Sequence, residues 1–176
     1  MYPVVRMMKE LAVHASAEGL PVHGTHVSQH ICWPWDLDLF LELNNGRTLT
    51  LFDLGRMPLA RRIGLSSALR QNRWGITVAG ASVRYRARVR LFDRIEMRSR
   101  GVGHDDRFFY VEQSIWRGGT CTTQALFRTA VTSKSGIVPT AEVLGAMGAD
   151  PVSPELPGWV SAWIAAEDTR PWPPEL

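Results

Sequence analysis

Between Trp35 and Asn45 the chain sets three carboxylates, Asp36, Asp38 and Glu42, and two asparagines, Asn44 and Asn45, directly ahead of the apolar run Leu49, Leu51, Phe52 and Leu54. Asparagine and aspartate are favoured where a helix begins. Their short side chains accept from backbone N–H groups that have no partner inside the helix, and the helix dipole favours negative charge at that end. A helix opening at Asn45 therefore offers a place to hold an anionic intermediate, with carboxylates close by in sequence. The same residues also make a plain cap, and their types alone do not separate the two roles.

The elements that must position this stretch follow from the hydrophobic pattern. Val4, Val5, Met8, Leu11, Ala12 and Ala15 recur at helical spacing, which predicts an amphipathic helix over residues 4–18, ended by Gly19 and Pro21. From Val22 to Trp33, Val22, Thr25, Val27 and Ile31 alternate with polar residues, so a first strand is expected there, closed by Pro34. The segment after Asn45 is apolar on more than one side and must be wrapped by other elements. Pro58 is expected to break or kink it, and residues 58–72 read as one or two short turns of helix.

From Trp74 onward the texture is that of strands. Arg84 to Arg90 alternates strictly, with every arginine on one face and Tyr85, Ala87 and Val89 on the other, as in a sheet with one solvated side. Further strands are expected over 94–102, 107–116 and 120–133, with Gly101 to Asp106 and Arg117-Gly118-Gly119 as turns. Short links make these an antiparallel meander. A short helix follows Pro139 or Thr140. Trp159, Trp163 and Ile164 fall on one face of a C-terminal helix expected to dock by its aromatics. Strand, helix, then four strands is an α+β layout.

A chain of 176 residues, 45% hydrophobic and 21% charged, builds one core. Of its twenty basic residues only Lys9 and Lys134 are lysines, and arginine suits bidentate contact with phosphate or carboxylate. No basic run interleaved with aromatics forms a known nucleic-acid module, so no nucleic-acid partner is expected. Cys32 and Cys121 form no CxxC or metal set and read as reduced and structural, so a cytoplasmic protein is the default. Charges interrupt the N-terminus too early for a signal-peptide core, and no apolar run reaches membrane-spanning length, so no membrane span is expected. Period two puts His26 and His30 on one strand face and His23 on the other, which argues against a shared metal.

The stretch Asp36 to Arg47 resembles the Asp-x-Asp-x-x-x-His-x-Asn-Asn-x-Arg signature of hot-dog-fold acyl-CoA thioesterases of the 4-hydroxybenzoyl-CoA thioesterase type, closest to the thioesterase superfamily member six branch. Gly103 to Gln113 resembles that branch's turn into its fourth strand, and Gly136 to Leu144 resembles its close. The likeness covers about residues 22–148. It implies an α+β hot-dog fold: a five-stranded antiparallel sheet wrapped round one central helix, with short N- and C-terminal helices added. The expected division is an N-terminal helix over 1–21, the hot-dog domain over 22–149 and a Pro/Trp-rich tail over 150–176. It also implies a homodimer or dimer of dimers with the site at the subunit interface.

Carried over residue by residue, Asp38 matches the catalytic carboxylate, and the backbone N–H of Asn45 matches the donor that polarises the thioester carbonyl. Glu42 stands where the branch usually has histidine. Asp38 then acts as a base on water or attacks the carbonyl itself. Glu42 either shares a proton with Asp38 or pairs with an arginine. The expected activity is hydrolysis of acyl-CoA, with coenzyme A as part of the substrate and no other cofactor. A hot-dog protein that binds acyl-CoA without hydrolysing it is the alternative; a hydratase ranks last, because no histidine follows Asp38 until His104. Asn44 beside the helix start, and Gln113 as a polar group on an apolar strand face, are candidate substrate contacts. Arg61, Arg62, Arg86 and Arg88 are candidates for the nucleotide end of coenzyme A, on charge alone.

Overall fold

The computed structural model describes residues 2–174, so Met1 and the last two residues of the tail lie outside it. In chain order it shows α1 (Val4–Val13), β1 (Thr25–Ile31), a 3-10 turn (Pro34–Asp36), α2 (Asn45–Arg62), α3 (Leu65–Asn72), β2 (Gly75–Tyr85), β3 (Arg94–His104), β4 (Phe109–Arg117), β5 (Thr120–Ser133), β6 (Gly136–Ile137), α4 (Thr140–Ala146) and α5 (Gly158–Asp168). The strands form one antiparallel sheet in the order β1-β3-β4-β5-β2, and the two-residue β6 adds to β5 beyond the five strands expected.

The sheet curls round α2. Leu51, Phe52 and Leu54 of the helix are wholly buried against Ile95 and Met97 of β3, Ile115 of β4, and Ala125 and Phe127 of β5. Each such side chain contributes about 2 kcal/mol of burial. Helix and sheet come unusually close at Gly55, where a Cβ would collide with Ser99 Oγ and stand 2.8 Å from Met97 Sδ. Pro58 was expected to break or kink the helix; it does not break it, and α2 runs through to Arg62. A proline removes one backbone bond, and Pro58 is buried beside the likewise buried Leu54, Gly55 and Leu59. Gly64, at φ +86°, makes the corner into α3.

Two further expectations are corrected. The arginine alternation from Arg84 to Arg90 does not remain a strand: β2 ends at Tyr85, and the N–H groups of Arg86 and Ala87 both turn to the Thr122 carbonyl, at 2.8 and 3.2 Å. The second concerns α1, which ends at Val13 and not near residue 18. Its inward face is offset from the expected one: Met7 and Glu10 are buried and Leu11 packs on the core, while Val4, Val5, Met8 and Val13 are exposed. Polar contacts accompany the apolar ones on this face: Glu10 lies 3.6 Å from His14 and 3.8 Å from His30, and Arg6 pairs with Asp36 at 2.7 Å, while Met7 sits in the core with Leu11 packed against it.

The outer face of the sheet is capped by α5, which packs Val160, Trp163 and Ile164 on Val102, Tyr110 and Leu126. Val160, wholly buried, is the anchor there; Trp159, expected among the docking aromatics, is 46% exposed. Among the described residues no helix is long and apolar enough to cross a membrane.

Candidate active site

The first turn of α2 is built by its neighbours in sequence. Asn44 is the N-cap: its side-chain oxygen accepts from the Arg47 N–H at 3.0 Å, and its carbonyl accepts from the Thr48 N–H at 2.8 Å. That leaves the N–H groups of Asn45 and Gly46 with no protein acceptor among the described residues. Two oriented donors at the positive end of an 18-residue helix are suited to an oxygen that gains negative charge.

A cleft of about 230 Å³ opens at this end, lined by Glu42, Asn45, Thr48, Tyr85, Arg86 and Arg88 among others. The Tyr85 hydroxyl donates to the Asn45 carbonyl at 3.3 Å, and partial burial pushes the phenol above its ordinary pKa, so it stays a neutral donor. Glu42 is held by Arg88, with Oε1 2.9 Å from Nε. Its backbone bridges Arg90, which fixes the loop against the segment that leaves β2.

Asp38 shapes the loop beside the cleft and does not line it. Its Oδ1 accepts from the N–H groups of Phe40 at 2.8 Å and Glu42 at 3.3 Å, and its own N–H donates to the Glu42 carbonyl at 2.8 Å. These bonds turn the chain so tightly that Leu41 takes φ +58°. Asp38 Oδ2 has no protein partner among the described residues. Leu39, Phe40 and Leu41, at the tip of the same loop, are exposed.

Of the residues singled out by sequence, Asn45, Glu42, Arg86 and Arg88 meet at the cleft, with Asn44 capping the helix beneath it and Asp38 in the adjoining loop. Arg61 and Arg62 do not join them. They sit at the other end of α2, about 24 Å along the axis. There Arg61 donates to the Leu11 and Ala15 carbonyls, and Arg62 to the Glu18 carbonyl, tying down the end of α1. Gln113 is also elsewhere: of the two faces the strand pattern left open, the one toward α2 carries it, and it is wholly buried. Its amide nitrogen donates to Phe52 O at 2.8 Å and Ser99 Oγ at 2.7 Å, and its oxygen accepts from Arg56 at 2.9 Å. It joins helix to sheet.

His26 and His30 share a strand face, and that face is the buried one. Burial is the main cause that lowers their pKa values to about 4 and about 3, so both rings are neutral at pH 7. Burial raises the Cys32 thiol to about 11, which leaves it unreactive. Among the described residues no group of three acidic, histidine or cysteine side chains could hold a metal. Sequence reasoning missed the part played by Asp36, Arg47 and Tyr85. The first two stand in the signature itself, which was a signal; the approach of Tyr85 depends on β2 crossing the helix start.

A sheet curled round one helix, with a cleft at the helix N-terminus, is the hot-dog fold. The chain belongs to the thioesterase-like superfamily, whose sequence model matches residues 32–164. Protein THEM6 of Xenopus laevis is 38% identical to it over 88 residues, which are 50% of this chain and 42% of that protein, so the chain matches less than half of that relative's length. This likeness supports the member-six branch. Among crystal structures, the probable thioesterase YbaW of Escherichia coli superposes with a TM-score of 0.61 at 18% identity, covering 69% of this chain and 98% of that one. Slr0204 of Synechocystis, a 1,4-dihydroxy-2-naphthoyl-CoA thioesterase, gives 0.60 at 12% identity, covering 70% and 95%. At these identities the two structures speak to the fold.

Proposed function

We propose that this protein hydrolyses acyl-CoA thioesters at the N-terminus of α2. The observation that carries the reading is the pair of N–H groups on Asn45 and Gly46, unaccepted among the described residues, at the helix end where a cleft lined by Asn45, Arg86 and Arg88 opens. The thioester carbonyl oxygen takes these donors, which are oriented before charge develops. From the loop beside the cleft, Asp38 acts by one of two routes. Either it takes the proton of the attacking water, the C–S bond then breaking and the thiolate of coenzyme A receiving that proton, or it attacks the carbonyl carbon through Oδ2 to expel the thiolate. In that second route water hydrolyses the acyl–Asp38 anhydride, which frees the acid, restores the carboxylate and supplies the proton for the thiolate. Arg86 and Arg88, on the segment after β2, are placed for the phosphates of the substrate.

The functional unit in this reading is a homodimer. β2 is the outer strand of the sheet, with one edge unpaired and Ile76 and Val78 exposed, and the apolar loop tip at Leu39–Leu41 stands uncovered beside the cleft. A second copy pairing along β2 covers both and closes the site.

Binding without turnover is the second reading. Two observations favour it: Glu42 is paired with Arg88, and Asp38 Oδ1 is committed to the loop. Thiol release from a panel of acyl-CoAs by wild type and Asp38→Asn separates the two. Hydrolysis predicts a loss of about 100-fold or more in the variant. Equal rates remove Asp38 from the chemistry, and tight binding with no turnover in wild type selects the second reading.

A further inference from the structure

Asp36 is a carboxylate with no exposed surface, and its two oxygens are shared between two helices. Oδ1 accepts from Arg47 Nε at 2.7 Å, in the first turn of α2. Oδ2 accepts from Arg6 of α1 at 2.7 Å and from the Trp33 N–H at 3.0 Å. The Asp36 carbonyl accepts from the Asn44 N–H at 2.9 Å. Asp36 thus grips α2 at the N-cap and again at Arg47, and the Asn45 N–H lies between those two points. Arg6 adds a bond to the Ile31 carbonyl at 3.1 Å, fastening the same knot to the end of β1.

Neither Arg6 nor Asp36 lines the cleft. Arg6 also lies outside residues 32–164, the stretch matched by the family. We propose that Arg6 is a positioning residue: through Asp36, the N-terminal helix holds the first turn of α2, and with it the Asn45 N–H, in the attitude that receives the substrate carbonyl. The part of this statement that concerns the substrate rests on the thioesterase reading above.

The physical reason is the burial of the carboxylate. With Arg6 in place both oxygens are met by charged donors, which are stronger and more directional than neutral ones. Without it, Oδ2 keeps only the Trp33 N–H, and a buried charge is left half paired. The carboxylate then turns toward solvent or admits water, and either movement loosens Arg47 and Asn44. The cap frays while the core below Leu51 stays closed. The substitution Arg6→Lys keeps the charge but not the second bond to the Ile31 carbonyl, because a lysine side chain lacks the planar fork of arginine.

The experiment uses the full chain as wild type, Arg6→Gln and Arg6→Lys, with two readouts. One is residue-resolved amide exchange along α2; the other is kcat and KM for acyl-CoA. Arg6→Gln is expected to speed exchange at Arg47 and Thr48 by about tenfold or more, the scale of one lost charged hydrogen bond. Exchange at Leu59 to Arg62 stays as in wild type. It also lowers kcat by a similar factor with KM within about twofold, and Arg6→Lys recovers part of both losses. Unchanged exchange at Arg47 and Thr48 in either variant overturns the proposal, as does acceleration spread evenly over the whole helix, which marks plain destabilisation. If Arg6→Gln does not fold, the comparison of wild type with Arg6→Lys decides. Wild type that turns over no acyl-CoA refutes the thioesterase reading alone, because the exchange arm still tests whether Arg6 holds the turn.

Discussion

Glu42 Oε1 and Arg88 Nε meet at 2.9 Å across the lip of the cleft, so the carboxylate that replaces the signature histidine is neutralised by an arginine from the segment after β2. A paired, partly solvated glutamate is poorly suited to be the base. Glu42→Gln is therefore expected to keep kcat within about threefold of wild type, well short of the 100-fold or greater loss that removal of a general base brings. Stability is expected to change by less than about 1 kcal/mol, as for other solvated ion pairs. Steady-state kinetics of acyl-CoA hydrolysis check this; a hundredfold fall in kcat would make Glu42 the base.

Asn44 caps α2 through its side chain. Asn44→Ala is expected to destabilise the fold by about 1 kcal/mol. Chemical denaturation measures the change in midpoint. A larger fall in kcat than this destabilisation explains would mark Asn44 as a substrate contact as well.

Gln113 joins Phe52, Ser99 and Arg56 in a site with no solvent. Gln113→Ala leaves the Arg56 guanidinium short of an acceptor and opens a void, with an expected loss of about 2–4 kcal/mol. Arg56 keeps its ion pair with Asp53 and its seat 4.2 Å over the Phe127 ring. A denaturation midpoint near that of wild type would show that the amide is dispensable.

His26 and His30 link stability to pH. Their folded pKa values, about 4 and about 3, lie below the ordinary value of 6.5, so the unfolded chain binds protons more readily. Their contribution to stability is whole above pH 6.5 and is lost as the pH falls toward 4 and then 3. Glu10 lies 3.8 Å from His30 Nδ1, which favours a charged ring. Burial, with Arg6, Lys9, His14 and His26 nearby, outweighs it; for His26 the neighbours are His14 and Arg62. The melting temperature is expected to drop between pH 7 and pH 5, and His30→Gln should flatten that slope. A variant with an unchanged slope would move the effect to another group.

Much of this molecule was legible from local pattern, and the misses share a cause. The start of α2 at Asn45 and the antiparallel meander follow from residues adjacent in sequence: a cap of asparagines, an apolar run too broad for a surface, and turns such as Gly118-Gly119, where both φ angles are positive. The offset inward face of α1 was hidden because Asp36 and His30, the partners of Arg6 and Glu10, lie more than fifteen residues away from them. The arginine alternation looked like a strand because its period is right, but the Thr122 carbonyl on β5 bends the backbone off the sheet. Arg61 and Arg62 suggested phosphate by charge, and only the length of α2 shows that they stand far from the cleft. Asp36 lay within the signature, and its burial between two arginines could not be read from residue types.

The close approach at Gly55 makes that residue the fulcrum of α2. The helix leaves no room for a side chain there, against Ser99 and Met97, so a change in its attitude pivots about this point. Asn45 stands ten residues away, an arm of about 15 Å. A tilt of about 4° at the pivot swings the Asn45 and Gly46 N–H groups by about 1 Å, a misplacement of the size that lowers rates by about 100-fold where such donors serve a reaction. Leverage of this kind means that a methyl group at the midpoint of the helix, far from any reacting atom, is felt at its tip.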